Sequence, residues 1–160
     1  MKCFHHNDLD GRCSAAIVGP AKLMDSLYPE ITYVEMDYNK LVPIDKIQHN
    51  EHIVIVDFSF KPEVMEQVFK VTPNVVWIDH HVTAKDYDYG RNIAGLRDFS
   101  DKGMSGCELT WKYFHPARPL PKGVTLIGDY DSWRLKTAPD CFQFYEGLKL
   151  IKDQAPTAMF

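Results

Sequence analysis

Two short runs, Ile53-Val54-Ile55-Val56 and Val75-Val76-Trp77-Ile78, constrain this chain more than anything else in it. Each is apolar throughout, so each predicts a strand buried on both faces rather than one with a wet side. Strands of that kind belong to parallel sheets covered by helices. Two more strands are predicted at residues 1–6 and 31–38, the second rich in β-branched and aromatic types. Helix-spaced residues fill the intervals. The segment 12–27 puts Ala16, Leu23 and Leu27 on one face, with Pro20 as an interruption. Residues 62–71 open on Pro62 and repeat Val64, Val68 and Val71, and Ser105 caps a run to about Phe114. Phe144, Leu148 and Ile151 suggest a last helix, while Val124 to Ile127 fits the end of either a helix or a strand. Strand alternating with helix predicts an α/β fold: an open, mostly parallel sheet of about five strands with helices on both faces.

A chain of 160 residues fits one domain, predicted over residues 1–154 with a tail at 155–160. No repeat or low-complexity tract divides it. No apolar run approaches the roughly 20 residues of a membrane-spanning helix, and the polar start at Lys2, His5 and His6 does not read as a secretory signal. The expected location is the cytoplasm. Cys3, Cys13, Cys107 and Cys141 form no C-x-x-C pair, so buried reduced thiols are expected rather than a zinc ribbon or disulfide scaffold. A formal charge of −4 argues against a broad basic surface for duplex nucleic acid.

Acidic stops punctuate the chain, at least the first three of them after predicted strands. They are His5-His6-Asn7-Asp8-Leu9-Asp10-Gly11, Asp57, Asp79-His80-His81, and Asp129-Tyr130-Asp131. In open parallel sheets ligands collect beyond the carboxyl ends of the strands, where these residues are predicted to lie. If the first segment is extended, His6, Asp8 and Asp10 alternate and share a side. Gly11 then allows a tight turn into a helix whose first N–H groups, with Arg12 close by, can meet an anion. His5 or His6, and Asp129 or Asp131, compete for single positions. Trp133 could wall the site or fill the core, and a lone tryptophan favours the core. Aspartates mixed with histidines, without thiolates or the spacing of a calcium loop, suit Mn²⁺, with Mg²⁺ or Co²⁺ as substitutes. Crowded carboxylates repel one another unless cations share the site, and two divalent ions bring a formal +4.

The order of these motifs resembles the DHH phosphoesterase superfamily, which includes RecJ exonucleases, nanoRNA hydrolases, cyclic-dinucleotide phosphodiesterases and family II pyrophosphatases. The resemblance spans roughly residues 3–134, and the Asp-Leu-Asp-Gly and Asp-Tyr-Asp-Ser-Trp wording is closest to the oligoribonuclease-like branch. It implies a Rossmann-like catalytic domain hydrolysing phosphodiester bonds of a short nucleotide substrate with two Mn²⁺ ions. His6 and Asp8 would hold one ion, Asp10, His80 and Asp129 the other, and Asp57 would bridge them. His81 would face the scissile phosphate, with Arg12 near the substrate and Asp79 orienting a ligand from behind. Asp57, His80 and His81 would thus carry the chemistry.

Members of the superfamily normally continue into a second domain with a glycine-rich, basic substrate-binding surface, and no such cluster follows here. Three expectations are open: a catalytic domain separated from its second domain, a minimal or accessory protein, or half of an assembly whose partner chain completes the substrate site. Two alternatives stand beside this reading. One is a pyrophosphatase or polyphosphatase, which would want basic residues converging on a small anion, whereas Arg12, Arg91, Arg97 and Arg134 are scattered in sequence. The other is a non-catalytic DHH-like module, which a degraded ligand set would favour.

Overall fold

The computed structural model describes residues 1–19, 30–152 and 155–156. Four parallel strands form the sheet: β1 (Lys2–His6), β2 (Thr32–Met36), β3 (Ile53–Val56) and β4 (Val75–Ile78), in the order β2-β1-β3-β4. All four residues of β3 are buried, as its composition requires. Register then sorts the side chains by alternation. Phe4, Ile55 and Trp77 align on one face, and Cys3, Val54 and Val76 on the other.

Five α-helices are found among the described residues: α1 (Leu9–Val18), α2 (Pro62–Val71), α3 (Gly106–Phe114), α4 (Lys122–Asp131) and α5 (Asp140–Lys149). One face of the sheet packs on Met65 and Val68 of α2. The other packs on Ala15 and Val18 of α1 and Leu109 of α3. A further layer joins Leu9, Cys13 and Ile17 to Cys107, Val124, Ile127 and Tyr145, seating α4 and α5 outside α1 and α3. Helices thus cover both faces of an α/β sheet, the predicted class.

Beyond the four strands, two isolated parallel bridges, Val76 with Ala94 and Asp79 with Arg97, lie along the free edge of β4. Gly95 lies between them at φ +130°, where a Cβ would fall 1.9 Å from the Trp77 carbonyl oxygen. Only glycine permits so close an approach. The predicted helix at 12–27 is observed from Leu9 to Val18, and Pro20, Leu23 and Leu27 lie outside the described residues. Val124 to Ile127 belong to a helix, α4. Ile151 falls beyond α5. All four cysteines are buried and unpaired. No described helix is long and apolar enough to cross a membrane.

Candidate metal centre

Strand register assembles the site. His5 is level with Val56 and Val56 with Ile78, so His6, Asp57 and Asp79 emerge side by side at the carboxyl edge. Asp57 N–H still donates to the Ile78 carbonyl at 2.9 Å, after which the backbone leaves the strand at φ +52°. That left-handed conformation is uncommon outside glycine and marks a position held by its surroundings.

Asp57 is 1% exposed, and neither carboxylate oxygen has an aligned hydrogen-bond donor. His80 Nε2 stands 3.1 Å from Oδ1, His81 Nδ1 3.9 Å from Oδ1, and His6 Nδ1 4.0 Å from Oδ2. Burial, then the charges of Asp10, Asp8, Asp131 and Asp79, push its pKa well above the carboxylate range. A buried carboxylate without donors is costly to ionise. Ringed by imidazole nitrogens, it has the surroundings of a group completed by cations.

Asp8 ends the β1 turn and caps α1, its Oδ1 accepting from Gly11 N–H at 2.8 Å while Oδ2 lies 2.7 Å from His6 Nδ1. Burial raises the Asp8 pKa, and the His6 and Gly11 bonds more than reverse that, leaving it lowered. Gly11 owes its place to crowding rather than to φ, because a Cβ there would sit 2.4 Å from the His6 carbonyl oxygen. Asp10 is already inside α1, so the first segment is not extended throughout. Its buried carboxylate accepts from Gly106 N–H at 2.7 Å, Cys107 N–H at 3.0 Å and the Ser105 hydroxyl at 3.0 Å. Asp10 thereby caps α3 across 96 residues of sequence and complements that helix's positive end.

Asp79 serves the histidines. Its Oδ1 accepts from His80 N–H and lies 2.7 Å from His81 Nδ1, while Ser59, itself bonded by Trp77 Nε1, donates to Oδ2. Burial alone would lower the His81 pKa, but the bond and charge of Asp79 outweigh it and raise it.

Among the described residues, candidate ligand atoms fall into three groups, in each of which the atoms lie within 4.8 Å of one another: His6, Asp8 and Asp57; Asp10, His80 and Asp131; and Asp57, His80 and His81. Two sequence expectations change here. The acid beside Asp10 and His80 is Asp131, whose Oδ2 lies 3.5 Å from His80 Nε2, and not Asp129. Two residues apart on α4, the two aspartates face different ways. Asp129 is taken up by Thr137, through its N–H at 2.6 Å and hydroxyl at 2.7 Å, and by Arg134 Nε at 3.4 Å. Asp131 is pushed up to about 8 by burial and by the charges of Asp10 and Asp8. Trp133 is not a core residue. It is 60% exposed, stacked on Tyr130 at 5.8 Å, with φ +48°.

It is the His6 ring, not that of His5, that lies against this cluster. His5 points to the other side, with its Nδ1 at the His6 carbonyl and its ring edge-on to Tyr33. Arg12 pairs with Glu35 at 2.9 Å and lines a cavity of about 610 Å³ that includes no member of the cluster. Ser105 is the expected cap of α3, but its bond to Asp10 and that of Ser59 to Asp79 gave no signal in sequence, since each joins partners distant along the chain. Asp8, Asp10, Asp57 and Asp131 carry four formal negative charges, which two divalent cations balance. The donor set therefore fits two such ions.

The model of the DHH family, N-terminal domain, matches residues 3–130. An uncharacterized protein of Acanthamoeba polyphaga mimivirus is 33% identical over 106 residues, covering 64% of this chain and 24% of the relative. The crystal structure of an uncharacterized protein from Helicobacter pylori superposes with a TM-score of 0.62 at 13% identity, over 84% of this chain and 43% of the other. That likeness speaks for the fold alone. The chain thus spans about a quarter of the curated relative and less than half of the solved one.

Proposed function

The chain belongs to the DHH family, a phosphoesterase superfamily whose members use divalent metals, and we propose that it hydrolyses phosphodiester bonds of a short nucleotide substrate with two Mn²⁺ ions. The observation that carries this reading is Asp57, buried without a donor to either oxygen while three histidines close on it.

In this reading His6 and Asp8 would hold one cation and Asp10, His80 and Asp131 the other, with Asp57 available to both. Asp131 takes the role that sequence assigned to Asp129. The ions, when bound, supply an acidified water and neutralise charge developing on the phosphoryl oxygens. The protein's own groups do the remaining work. Asp79 fixes the His81 ring through Nδ1 and favours its protonated form, leaving the Nε2–H to donate to a phosphoryl oxygen. Asp10 keeps its carboxylate in place through three donors of the α3 terminus, so little reorganisation accompanies binding.

The arginines favour a diester over pyrophosphate or polyphosphate, which would need several cationic side chains around one small anion. Arg12 pairs with Glu35, Arg91 lies over the Phe69 ring, Arg97 bonds the Trp77 and Ile93 carbonyls, and Arg134 pairs with Glu108. Arg134 also lies 3.4 Å from Asp129, which belongs to none of the candidate ligand groups. Cytoplasmic location, and a partner or further domain that grips the substrate, are part of the same proposal.

The test is a hydrolysis panel with Mn²⁺: di- to pentanucleotide RNA, cyclic dinucleotides, 3′-phosphoadenosine 5′-phosphate and pyrophosphate. Cleavage of short RNA or another diester by the wild type, abolished in Asp57→Ala with the fold retained, is expected. Equal turnover by the variant, or cleavage of pyrophosphate alone, contradicts the reading.

A further inference from the structure

Tyr38 stands at the mouth of the site and holds no cation. It follows β2 by two residues and is 56% exposed, a large ring left in water beside a polar centre. Its centroid lies 4.9 Å from Phe58 at 31°, 5.6 Å from His6 and 6.1 Å from His81. Phe58, the residue after Asp57, is 4% exposed and rests edge-on against Phe60, which packs in turn on Phe4 of β1. The ring is therefore backed by the sheet core and open over more than half of its surface.

The backbone that carries it is pinned as well. Asp37 Oδ1 accepts from Asn39 N–H at 3.1 Å, and its carbonyl accepts from Lys40 N–H at 2.9 Å. Asn7 Nδ2 reaches its Oδ2 at 3.3 Å. A lone exposed aromatic needs no explanation by itself, but this one lies against the rings of His6 and His81 at the edge of the candidate centre. A rigid ring, supported from behind and adjoining an anion-binding centre, suits a planar base attached to the phosphate that the centre holds.

We propose that Tyr38 is the platform on which a nucleobase of the substrate stacks, so that the site selects a nucleotide over an inorganic or sugar phosphate. The inference rests on the phosphoester reading of the metal centre and adds the residue that recognises the base.

The test compares binding of AMP and ribose 5-phosphate by calorimetry in Mn²⁺, for the wild type, Tyr38→Ala and Tyr38→Phe. The wild type should bind AMP roughly tenfold more tightly, in line with the strength of base stacking on an aromatic side chain. Tyr38→Ala should erase that preference while leaving ribose 5-phosphate affinity unchanged, and Tyr38→Phe should keep it. Equal affinity of the wild type for the two ligands, binding of neither, or equal weakening of both by Tyr38→Ala overturns the proposal. Hydrolysis of diesters is measured in parallel. Cleavage without base preference refutes the role of Tyr38 alone, whereas base preference without any Mn²⁺-dependent cleavage refutes the enzymatic reading and leaves the platform standing.

Discussion

Asp57 occupies space that residue 106 leaves empty: a Cβ on Gly106 would lie 2.5 Å from both Cβ and Oδ1 of Asp57. The first turn of α3 therefore touches the central carboxylate directly, while its N–H groups hold Asp10. Gly106→Ala should displace one or the other. The expected outcome is a stability loss of about 1–3 kcal/mol, the usual cost of overpacking, together with at least a tenfold weaker affinity for Mn²⁺. Gly147→Ala on α5, where nothing lies within 4 Å, serves as the control. It should leave cation affinity unchanged and stabilise the helix by about 0.5–1 kcal/mol. Thermal melts and cation titrations of both variants check this.

Asp129 and Asp131 should separate cleanly by mutation. Asp131→Asn should weaken cation binding with little loss of fold, since burial beside Asp10 and Asp8 makes its charge unfavourable without metal. Asp129→Asn should instead cost about 1–3 kcal/mol of stability. Its carboxylate answers two Thr137 donors and Arg134, and it keeps no cation in this account. Titration calorimetry and melting curves on the pair would show the reverse pattern if sequence order had assigned the ligand correctly.

Metal-free protein should lose stability as pH rises. Asp57 and Asp131 have folded-state pKa values above their unfolded ones, the latter pushed up to about 8. The folded chain therefore binds more protons than the unfolded one. Their contribution is complete below the unfolded value near 4 and is lost as pH rises through the folded values. In chelator, the melting temperature should fall between pH 5 and pH 8. Mn²⁺ should restore it most at the upper end, and Asp131→Asn should flatten the slope. A metal-free melting temperature that rises steadily over that window would contradict the charge crowding.

Removing the support of His81 should spare the fold more than the chemistry. Asp79→Asn leaves a side chain of the same size but no anion for His81 Nδ1. Loss of a partner of this kind typically costs about 10- to 100-fold in activity or metal affinity. The His81 imidazole should also titrate lower in the variant, which its NMR signals report.

Much of this was legible in the chain itself, for reasons that differ by residue. Ile53 to Val56 is apolar at every position, and burial on both faces is the outcome. Asp57 follows it with no local explanation for a charge, and the sheet edge supplies one. Helix α2 begins at Pro62 as its sequence signals. Asp131 was not legible, because choosing between two acids two residues apart requires the face of α4, and Val124 to Ile127 did not declare a helix. Trp133 was misread because a lone tryptophan is usually buried, whereas here it follows the end of α4 in a left-handed turn.

In the proposed site Asp57 would join two divalent cations. Mn²⁺ titration by calorimetry, with wild type and Asp57→Asn side by side and melting curves to verify folding, tests it most directly. Two ions per chain for the wild type, and a loss of at least one with a sharply weakened other in Asp57→Asn, is the predicted result. A wild type that binds no Mn²⁺, or a folded Asp57→Asn that binds two ions with undiminished affinity, would contradict it.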